Sequence, residues 1–294
     1  MNIIIVGAGN VGSTIAGVLS SSHNVLMIEM DTKKTEAVKA MLNVSVLHEN
    51  GVNPRVIEEA VGRHSADVLI AAMPADEHNL FSCIAAKNVK KNIRTVAKIR
   101  DPDFIRAMEG GGYFGADQIM SPELSAAKKI SKLALIENAV DYEEAESIGL
   151  AMAVFRVSEG HADLIGKVVM NIRLPNDCAI VTIYRNNDVR VCRETTEILL
   201  GDLLCIFGTP SAIRDFNRMM GYPREAKEIV IIGGGVIGSN VARTLDKEKK
   251  YIKLIEQDAE RCRMISRMSD NVLVVNANGV DPNILRSENA GRAD

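Results

Sequence analysis

The chain has 294 residues, with 35 Lys and Arg against 38 Asp and Glu, a formal net charge of −3 and a hydrophobic share of 47%. This length predicts two or three domains, and the composition is typical of soluble globular proteins rather than disordered or fibrous ones. Because no basic run is longer than a pair of lysines, we expect no nucleic-acid partner.

The chain shows no sign of a secretory leader or a membrane span. Met1 and Asn2 run directly into a short apolar strand, and no segment reaches the roughly 18 apolar residues that a membrane helix needs. The cysteines have no paired spacing, which favours core packing over a disulfide framework or a metal site: Cys83, Cys178, Cys192, Cys205 and Cys262. We therefore expect a cytoplasmic protein without direct membrane insertion, for which any association with a membrane must come through a partner.

Apolar runs alternate with helical stretches through the first part of the chain. The predicted strands are Asn2–Val6, Val25–Glu29, Val44–Leu47, Val68–Ala72 and Thr95–Ile99. The predicted helices are Val11–Ser20, Lys33–Leu42, Pro54–Val61 and His78–Lys87. Continuous apolar strands separated by helices indicate a parallel sheet covered on both faces, a doubly wound, Rossmann-like α/β domain.

A further helix is predicted in "QIMSPELSAAKKISKLALIENA". Ser121 suits the N-cap, Pro122 the first helical position, and Glu123 the positive end of the helix. Its apolar face comprises Leu124, Ala127, Ile130, Leu133 and Ala134. That face is compatible with packing inside the chain and with a helix that crosses to another subunit.

From about residue 138 the pattern changes to that of a small α+β domain. "MAVFRV", "CAIVTIYR", "DVRVC" and "LLCIFG" are strand-like, and "RNND" predicts a hairpin turn. Helices are expected at Ala162–Lys167 and Pro210–Met220, and His161 is expected at the surface.

After the hinge "GYPREAKE" the beginning of the chain repeats. Gly7, Gly9 and Gly12 recur as Gly233, Gly235 and Gly238, and Glu29 and Asp31 recur as Glu256 and Asp258. The match continues over about 65 residues to Asp67 and Asp294, which indicates a duplicated domain. We therefore expect a nucleotide-binding domain at 1–137, a small domain at 138–222 and a partial second nucleotide-binding domain at 223–294. The second copy lacks two predicted strands, so we expect either a fragment of a longer protein or strands supplied from elsewhere.

The glycine pattern is GxGxxG between a strand and a helix, with an acid about 20 residues later, and it occurs twice. Gly7 permits the tight turn, Gly9 lets the backbone approach a pyrophosphate, and Gly12 lets the helix pack closely on the strand. The amides of Asn10 and Val11 at the helix start then face the phosphates. The pattern predicts a dinucleotide site.

Glu29 ends the second predicted strand, where a carboxylate accepts hydrogen bonds from ribose hydroxyls and repels a 2′-phosphate. NAD(H) is therefore preferred over NADP(H), and we expect Glu29 at an exposed strand end. No histidine pairs with a carboxylate in a recognisable catalytic pattern, and no nucleophilic triad is evident. We therefore predict binding without turnover and no catalytic residues.

Several segments resemble the RCK/KTN family of potassium-transport regulators. "IIIVGAGNVGSTIA", "LMIEMD", "DEHNLFSCIAAK", "VAKIRDPDF" and "IMSPE" resemble the N-terminal domain of that family. "LIGKVVMNIRLPNDCAIVTIYRNNDV" and "LLGDLLCIFGTPSAI" resemble its smaller C-terminal domain. The order of domains agrees as well, and the duplication is similar to the tandem form of the family.

The resemblance implies a cytoplasmic regulatory subunit of a Trk-type potassium uptake system. Such proteins form homo-oligomers, dimers or tetrameric rings, on an integral-membrane, TrkH-like potassium-translocating subunit and gate it when nucleotide binds. The resemblance therefore implies a peripheral location on the inner face of the cell membrane. The resemblance implies ligand residues at the first site: Gly7, Ala8, Gly9, Asn10, Val11, Gly12, Glu29, Asn50, Met73, Pro74 and Lys98. It implies a second site that begins with Gly233, Gly234, Gly235, Val236, Ile237 and Glu256.

Two questions remain open on the sequence, the identity of the ligand and the function. Where the family commonly has Gly-Asp after the third strand, this chain has Glu49-Asn50 and Ala277-Asn278. Because an Asn side chain both donates and accepts, the choice between NAD(H) and ATP/ADP stays open. The competing functions are an NAD-dependent dehydrogenase of small molecules and a nucleotide sensor for another transporter.

Overall fold

The computed structural model describes residues 1–101, 104–105, 107, 115–222, 226–269 and 271–293. Part of the predicted hinge, residues 223–225, part of the "VAKIRDPDF" segment and the last residue of the repeat, Asp294, lie outside these ranges. The chain forms two compact units, Met1–Glu123 and Leu124–Asp294. No helix within the described ranges is both long and apolar enough to span a bilayer.

The first unit is built on a six-stranded parallel sheet. Its strands are β1 (Asn2–Val6), β2 (Asn24–Glu29), β3 (Ser45–His48), β4 (Val68–Ala71), β5 (Arg94–Lys98) and β6 (Gln118–Met120). The connecting helices are α1 (Asn10–Leu19), α2 (Thr32–Met41), α3 (Pro54–Arg63) and α4 (Asp76–Val89). The strand order is β3-β2-β1-β4-β5-β6, so the predicted doubly wound fold is confirmed.

Helices cover both faces of this sheet. Ile4 and Val6 of β1 belong to the core formed with α3 and α4. Ile3 and Ile5 point the other way and pack with residues of α1 and α2. This alternation explains why β1 is apolar throughout. The chain reverses its winding direction between β1 and β4, so a crevice opens at the carboxyl ends of these two strands.

The second unit begins inside α5 (Pro122–Leu135) and continues into an antiparallel sheet. The strands are β7 (Ala139–Ala145), β8 (Leu150–Arg156), β9 (Cys178–Arg185), β10 (Asp188–Val191) and β11 (Leu203–Gly208), in the order β10-β9-β11-β8-β7. Helix α6 (Pro210–Met219) packs on this sheet, with the rings of Phe155 and Phe216 5.2 Å apart. Asn186 and Asn187 have φ of 52° and 62°, as the predicted two-residue hairpin turn requires.

The small domain also departs from expectation. Residues 162–167 do not form the predicted helix, because the segment turns after a short 3₁₀ element at Glu159–His161 and passes through Gly166 at φ +79°. His161 is only 5% exposed, so its prediction as a surface residue is wrong.

The repeat forms a three-stranded parallel sheet in the same unit. Its elements are β12 (Glu228–Ile232), α7 (Val236–Lys247), β13 (Tyr251–Glu256), α8 (Ala259–Ser266), β14 (Val272–Asn276) and α9 (Pro282–Ser287). The order β12-β13-β14 corresponds to β1-β2-β3 of the first unit.

Helix α5 begins at Pro122, as predicted, but the Ser121 hydroxyl is buried without the predicted capping partner. Its Ala127 is fully buried with Val241 and Leu245 of α7, whereas Leu133 packs against the core of the small domain. Ile130 on the predicted apolar face stays 44% exposed. Of the two interpretations of this helix, the structure shows packing within the chain.

Candidate nucleotide sites

The first glycine turn connects β1 to α1 at the crevice between β1 and β4. Gly7 has φ +99°, a backbone conformation that side chains strongly disfavour. A Cβ atom there would meet the Ala72 backbone and Met73 Cγ, each at 3.1 Å. The turn is therefore both left-handed and closely packed, which confirms the expected role of Gly7.

The two other glycines act in different ways. A Cβ built on Gly12 would lie 1.9 Å from the Gly7 carbonyl oxygen, so α1 rests directly on the turn. A Cβ built on Gly9 would meet nothing within 4 Å. Gly9 therefore borders open space in front of the helix, which is where the sequence predicts a pyrophosphate.

Helix α1 presents unpaired amides to that space. Its N-cap is Gly9, and the first helical hydrogen bond runs from the Ser13 amide to the Gly9 carbonyl. Asn10 and Val11 precede that bond, so their N–H groups have no partner within the helix. The unpaired donors and the helix dipole together favour an anionic group in front of Gly9.

Glu29 lies at the end of β2, but its environment differs from the expectation. The residue is 8% exposed rather than at an exposed strand end. Its carboxylate accepts hydrogen bonds from the amides of Ala8 at 2.6 Å and Asp31 at 2.9 Å. The strand end is covered because the glycine turn and the following loop both fold onto the acid.

The ends of β4 and β5 complete this edge of the sheet. Met73 and Lys98 are both buried, and the backbone of each is hydrogen-bonded to the side chain of Asn79 in α4. The Pro74 carbonyl accepts a hydrogen bond from the Arg100 guanidinium. These predicted residues share one edge of the sheet, with their backbones held by the first turns of α4 and by the segment after β5.

Asn50 follows β3 and is exposed. Its Oδ1 accepts a hydrogen bond from the Val52 amide, which forms a local turn. A Cβ on the neighbouring Gly51 would lie 2.1 Å from Val6 Cγ1, so this turn packs against the strand that leads into Gly7. Asn50 therefore lies on the carboxyl edge of the sheet with the other predicted residues.

The second glycine turn repeats this geometry. Gly233 has φ +100°, and a Cβ on Gly238 would lie 1.9 Å from the Gly233 carbonyl oxygen. Gly235, like Gly9, borders open space. Glu256 is 5% exposed and accepts from the amides of Gly234 at 2.6 Å and Asp258 at 2.8 Å. The Asp258 bond and then the Gly234 bond lower the pKa of Glu256 below its usual range, so it is ionised at neutral pH.

The two turns differ in what surrounds them. Gly234 stands where the first copy has Ala8, and a Cβ there would lie 2.5 Å from Ile265 Cδ1, the end of a flexible side chain. Val236 and Ile237 are 43% and 40% exposed. A cleft of about 840 Å³ in this unit lies beside β12 and α9 and is lined by residues such as Ile229, Ile232 and Leu285. Within the described residues this half contains only the β1-β2-β3 side of the site.

Residues outside the glycine pattern contribute to the first site in ways that the sequence did not show. Asn79 and Asp76 occupy the first turns of α4 and are almost fully buried. Asp76 Oδ2 accepts from the amides of Arg100 at 2.9 Å and Asp101 at 2.8 Å. Both residues lie in "DEHNLFSCIAAK", which carries the family resemblance, but nothing in their spacing indicates a role at the site.

The arrangement offers groups that suit nucleotide binding. It presents unpaired amides and a buried carboxylate at the glycine turn, with Met73 just after β4 and the buried Lys98 at the end of β5. His161 lies in the small domain, where its Nδ1 accepts from the Ser158 amide at 2.8 Å. Among the described residues, no group of three or more His, Cys, Asp or Glu side chains is arranged to hold a metal ion.

Comparison with known proteins follows the same domain order. Residues 3–122 and 229–294 match the TrkA-N domain, and residues 152–221 match the TrkA-C domain. The chain is 30% identical to the Trk system potassium uptake protein TrkA homolog 2 of Methanosarcina mazei and 32% identical to a TrkA homolog of Archaeoglobus fulgidus. These matches cover 98% and 100% of this chain and 66% of each relative, so the chain spans just under two thirds of their length.

A shorter relative and two solved structures extend the comparison. The TrkA homolog of Pyrococcus abyssi is 30% identical and is covered over its full length by 76% of this chain. The GsuK RCK domain aligns with a TM-score of 0.70 at 19% identity, covering 99% of this chain and 62% of that one. The GsuK channel bound to NAD aligns with a TM-score of 0.68 at 20% identity, covering 99% and 51%. At these identities the structural likeness concerns the fold alone.

Proposed function

The chain belongs to the TrkA-N domain family, and from this premise we propose that it is a non-enzymatic regulatory subunit of a Trk-type potassium uptake system that binds NAD(H). Its curated relatives are named Trk potassium uptake proteins over nearly the whole of this chain. In the proposed mechanism, nucleotide binding at the glycine turns changes the conformation of a homo-oligomer, a dimer or tetrameric ring. That change gates a TrkH-like integral-membrane subunit.

The observation that carries the proposal is the open space at Gly9 and Gly235, next to unpaired helix amides and a buried acid. Phosphates satisfy the amides, and a ribose hydroxyl can donate to a lone pair of the carboxylate that its backbone bonds leave free. A carboxylate at this position would repel a 2′-phosphate, which favours NAD(H) over NADP(H).

ATP and ADP remain the alternative ligands of the same sites. They share the adenosine and phosphate groups that the glycine turn and Glu29 would recognise. Solved GsuK structures are described as bound to NAD and as bound to ADP, at TM-scores of 0.68 and 0.58 to this chain. Beyond that shared part, NAD(H) continues into a nicotinamide riboside, whereas ATP and ADP end in a terminal phosphate that carries more negative charge.

Calorimetric titration with NAD⁺, NADH, ATP and ADP tests the proposal. Gly9→Val and Gly235→Val are suitable variants because both glycines have φ near −70° and room for a side chain. We expect each variant to fold normally and to lose its own site, since the added side chain fills the phosphate space. Wild-type affinity retained in the double variant would refute the assignment.

Two further measurements separate the competing functions. Consumption of NADH in the presence of small carbonyl substrates would support a dehydrogenase and contradict a purely regulatory role. Co-purification of the chain with a TrkH-like subunit, followed by potassium flux with and without NADH, tests the partner. Nucleotide binding without any effect on potassium flux would favour a sensor for another transporter.

A further inference from the structure

We propose that Asn79 is a positioning residue of the first nucleotide site. It holds Met73 against the Gly7 turn and connects Met73 to the end of β5 through hydrogen bonds. The inference rests on the proposed nucleotide binding at Gly7–Gly12. Asn79 is remote in sequence from the glycine pattern and would act through its neighbours rather than by touching the ligand.

The side-chain amide of Asn79 is fully used by backbone groups. Its Oδ1 accepts from the Met73 amide at 2.7 Å. Its Nδ2 donates to the Met73 carbonyl at 3.0 Å and to the Lys98 carbonyl at 2.8 Å. Asn79 is 0% exposed, so no water replaces these bonds from outside. An amide is the side-chain group that supplies one acceptor and two donors in a single plane, and all three are engaged.

Met73 transmits this constraint to the glycine turn. Its Cγ lies 3.1 Å from the point where a Cβ of Gly7 would stand, so its side chain packs against the turn. The preceding residue, Ala72, donates its amide to the Val6 carbonyl at 2.8 Å. A shift of Met73 therefore changes the surface on which the Gly7 turn packs, three residues before Asn10, the first of the amides that would bind phosphate.

The same bonds determine what Met73 can offer a ligand. Its N–H already has a partner, and its carbonyl already accepts from Asn79. The Met73 backbone therefore has no free donor for a phosphate oxygen, whereas the start of α1 has free donors. What Met73 can offer is its apolar thioether side chain, which suits contact with a sugar or an aromatic ring.

Asp76, one helical turn earlier in α4, makes a second connection to the segment after β5. Its carboxylate binds the amides of Arg100 and Asp101, which follow β5. Residues three apart lie on the same side of a helix, so Asp76 and Asn79 both face the sheet edge. Together they fix the β4 and β5 ends to α4, and Asn79 alone reaches the wall of the glycine turn.

The test uses the full chain carrying Gly235→Val, so that only the first site reports. In this background we compare Asn79→Asp and Asn79→Leu with Thr95→Val, and measure NADH affinity by calorimetry together with thermal unfolding. Thr95 is the matched control because it is also 0% exposed and its hydroxyl bonds Gly115 and Asp117 at the amino end of β5, away from the site.

We expect both Asn79 variants to weaken NADH binding by about 10-fold, the effect of losing roughly one neutral hydrogen bond. Asp keeps the size of the side chain but removes both donors, and Leu removes the acceptor as well. Thr95→Val should lower the melting temperature and leave the affinity unchanged. A purely structural role of Asn79 predicts the same result as Thr95→Val, and that outcome would overturn the inference while leaving nucleotide binding intact.

Hydrogen exchange of the unsubstituted chain gives a reading that does not depend on how the variants fold. The Met73 amide should be protected without nucleotide, because Asn79 already binds it. Rapid exchange that slows only when NADH is added would contradict the inference. No NADH binding at all in the Gly235→Val chain would instead refute the proposed function, and the role of Asn79 with it.

Discussion

The carboxylate of Glu29 accepts a hydrogen bond from the Ala8 amide at 2.6 Å, and Glu256 holds Gly234 at the same distance in the repeat. Both acids also bind the amide two residues later, so each one connects the glycine turn to the end of the neighbouring strand. The acid of this pattern therefore contributes to the shape of the turn before any ribose is present. Its removal should affect the fold as well as the ligand.

We predict that Glu29→Gln weakens NADH binding by about 10-fold to 100-fold in a Gly235→Val background. The glutamine side chain keeps one acceptor oxygen, but its NH₂ group must face a backbone N–H that had the Glu29 carboxylate as its partner. A charge-assisted bond contributes about 1.5–3 kcal/mol. Calorimetry checks the affinity, and thermal unfolding should show a loss of stability as well.

Glu36→Gln is the matched control for this charge change. Glu36 is exposed on α2, so its substitution removes the same charge without touching the glycine turn. An equal loss of affinity in Glu36→Gln would show that overall charge, rather than the Glu29 bonds, controls binding.

Gly12→Ala should destabilise the first unit by at least about 1–3 kcal/mol, a typical cost of overpacking. The new methyl group would lie 1.9 Å from the Gly7 carbonyl oxygen, and neither partner is a flexible side chain. Gly17→Ala in the same helix is the control, since its methyl group meets only Leu42 Cδ2 at 3.4 Å. Because Ala has the higher helix propensity, Gly17→Ala should be neutral or stabilising. Equal melting temperatures for the two variants would contradict the close approach of α1 to the turn.

The sequence was sufficient for the parallel sheet because its strands are continuous apolar runs followed by glycine turns and helices. Edge strands were harder to predict. Strand β6 has only three residues, and β7 reads AVDYEEA, whose acids would normally indicate a loop. In the structure Asp141 and Glu143 pair with Lys129 of α5, a contact that local sequence patterns do not reveal.

The backbone of the candidate site could be predicted from the sequence, but its side-chain contacts could not. The glycine spacing identified the turn and the helix start, since those depend on local backbone geometry. The burial of Glu29 depends on how a loop folds over a strand end, and the proposed role of Asn79 depends on three bonds to backbone groups outside its own helix. A buried Asn inside a helix has the same local sequence pattern as a solvated one.

Asp202→Asn should destabilise the small domain by about 3–5 kcal/mol, the cost of removing one partner from a buried ion pair. Asp202 is 1% exposed and binds Arg185 through two bonds of 2.7 Å, and it also accepts from the Leu199 amide. Burial alone would raise the pKa of Asp202, but the Arg185 and Leu199 bonds outweigh it and hold the pKa below its usual range. The pair therefore stabilises the domain above pH ~4 and is lost as the pH falls through that lowered pKa.

Asp188→Asn provides the comparison. Asp188 pairs with Arg190 at the surface, where side chains on both partners are more than half exposed, so its loss should cost less than about 1 kcal/mol. The free energy of unfolding of both variants is measured by chemical denaturation, with hydrogen exchange in β9 and β11 as the local probe. Similar losses in the two would mean that Arg185 and Asp202 are not a buried pair in solution.

His161 should make the small domain less stable below neutral pH. Its Nδ1 accepts from the Ser158 amide at 2.8 Å, so a proton on Nδ1 would place two donors against each other. Burial lowers the pKa of His161 below its ordinary value near 6.5. The unfolded chain therefore binds the proton first, and stability falls as the pH drops below about 6.5, by about 1.4 kcal/mol for each unit of the pKa difference.

His161→Gln removes the titration but keeps an acceptor at the same position, since Ser-x-x-Gln also forms a capping box. Hydrogen exchange in β8 and β11 at pH 7.5 and pH 5.5 should show a loss of protection at acid pH in the original chain and a smaller one in His161→Gln. The Asp202 carboxylate, whose pKa is lowered, stays ionised throughout this interval and does not add to the difference. Equal pH dependence in the two proteins would mean that His161 titrates freely in the folded state.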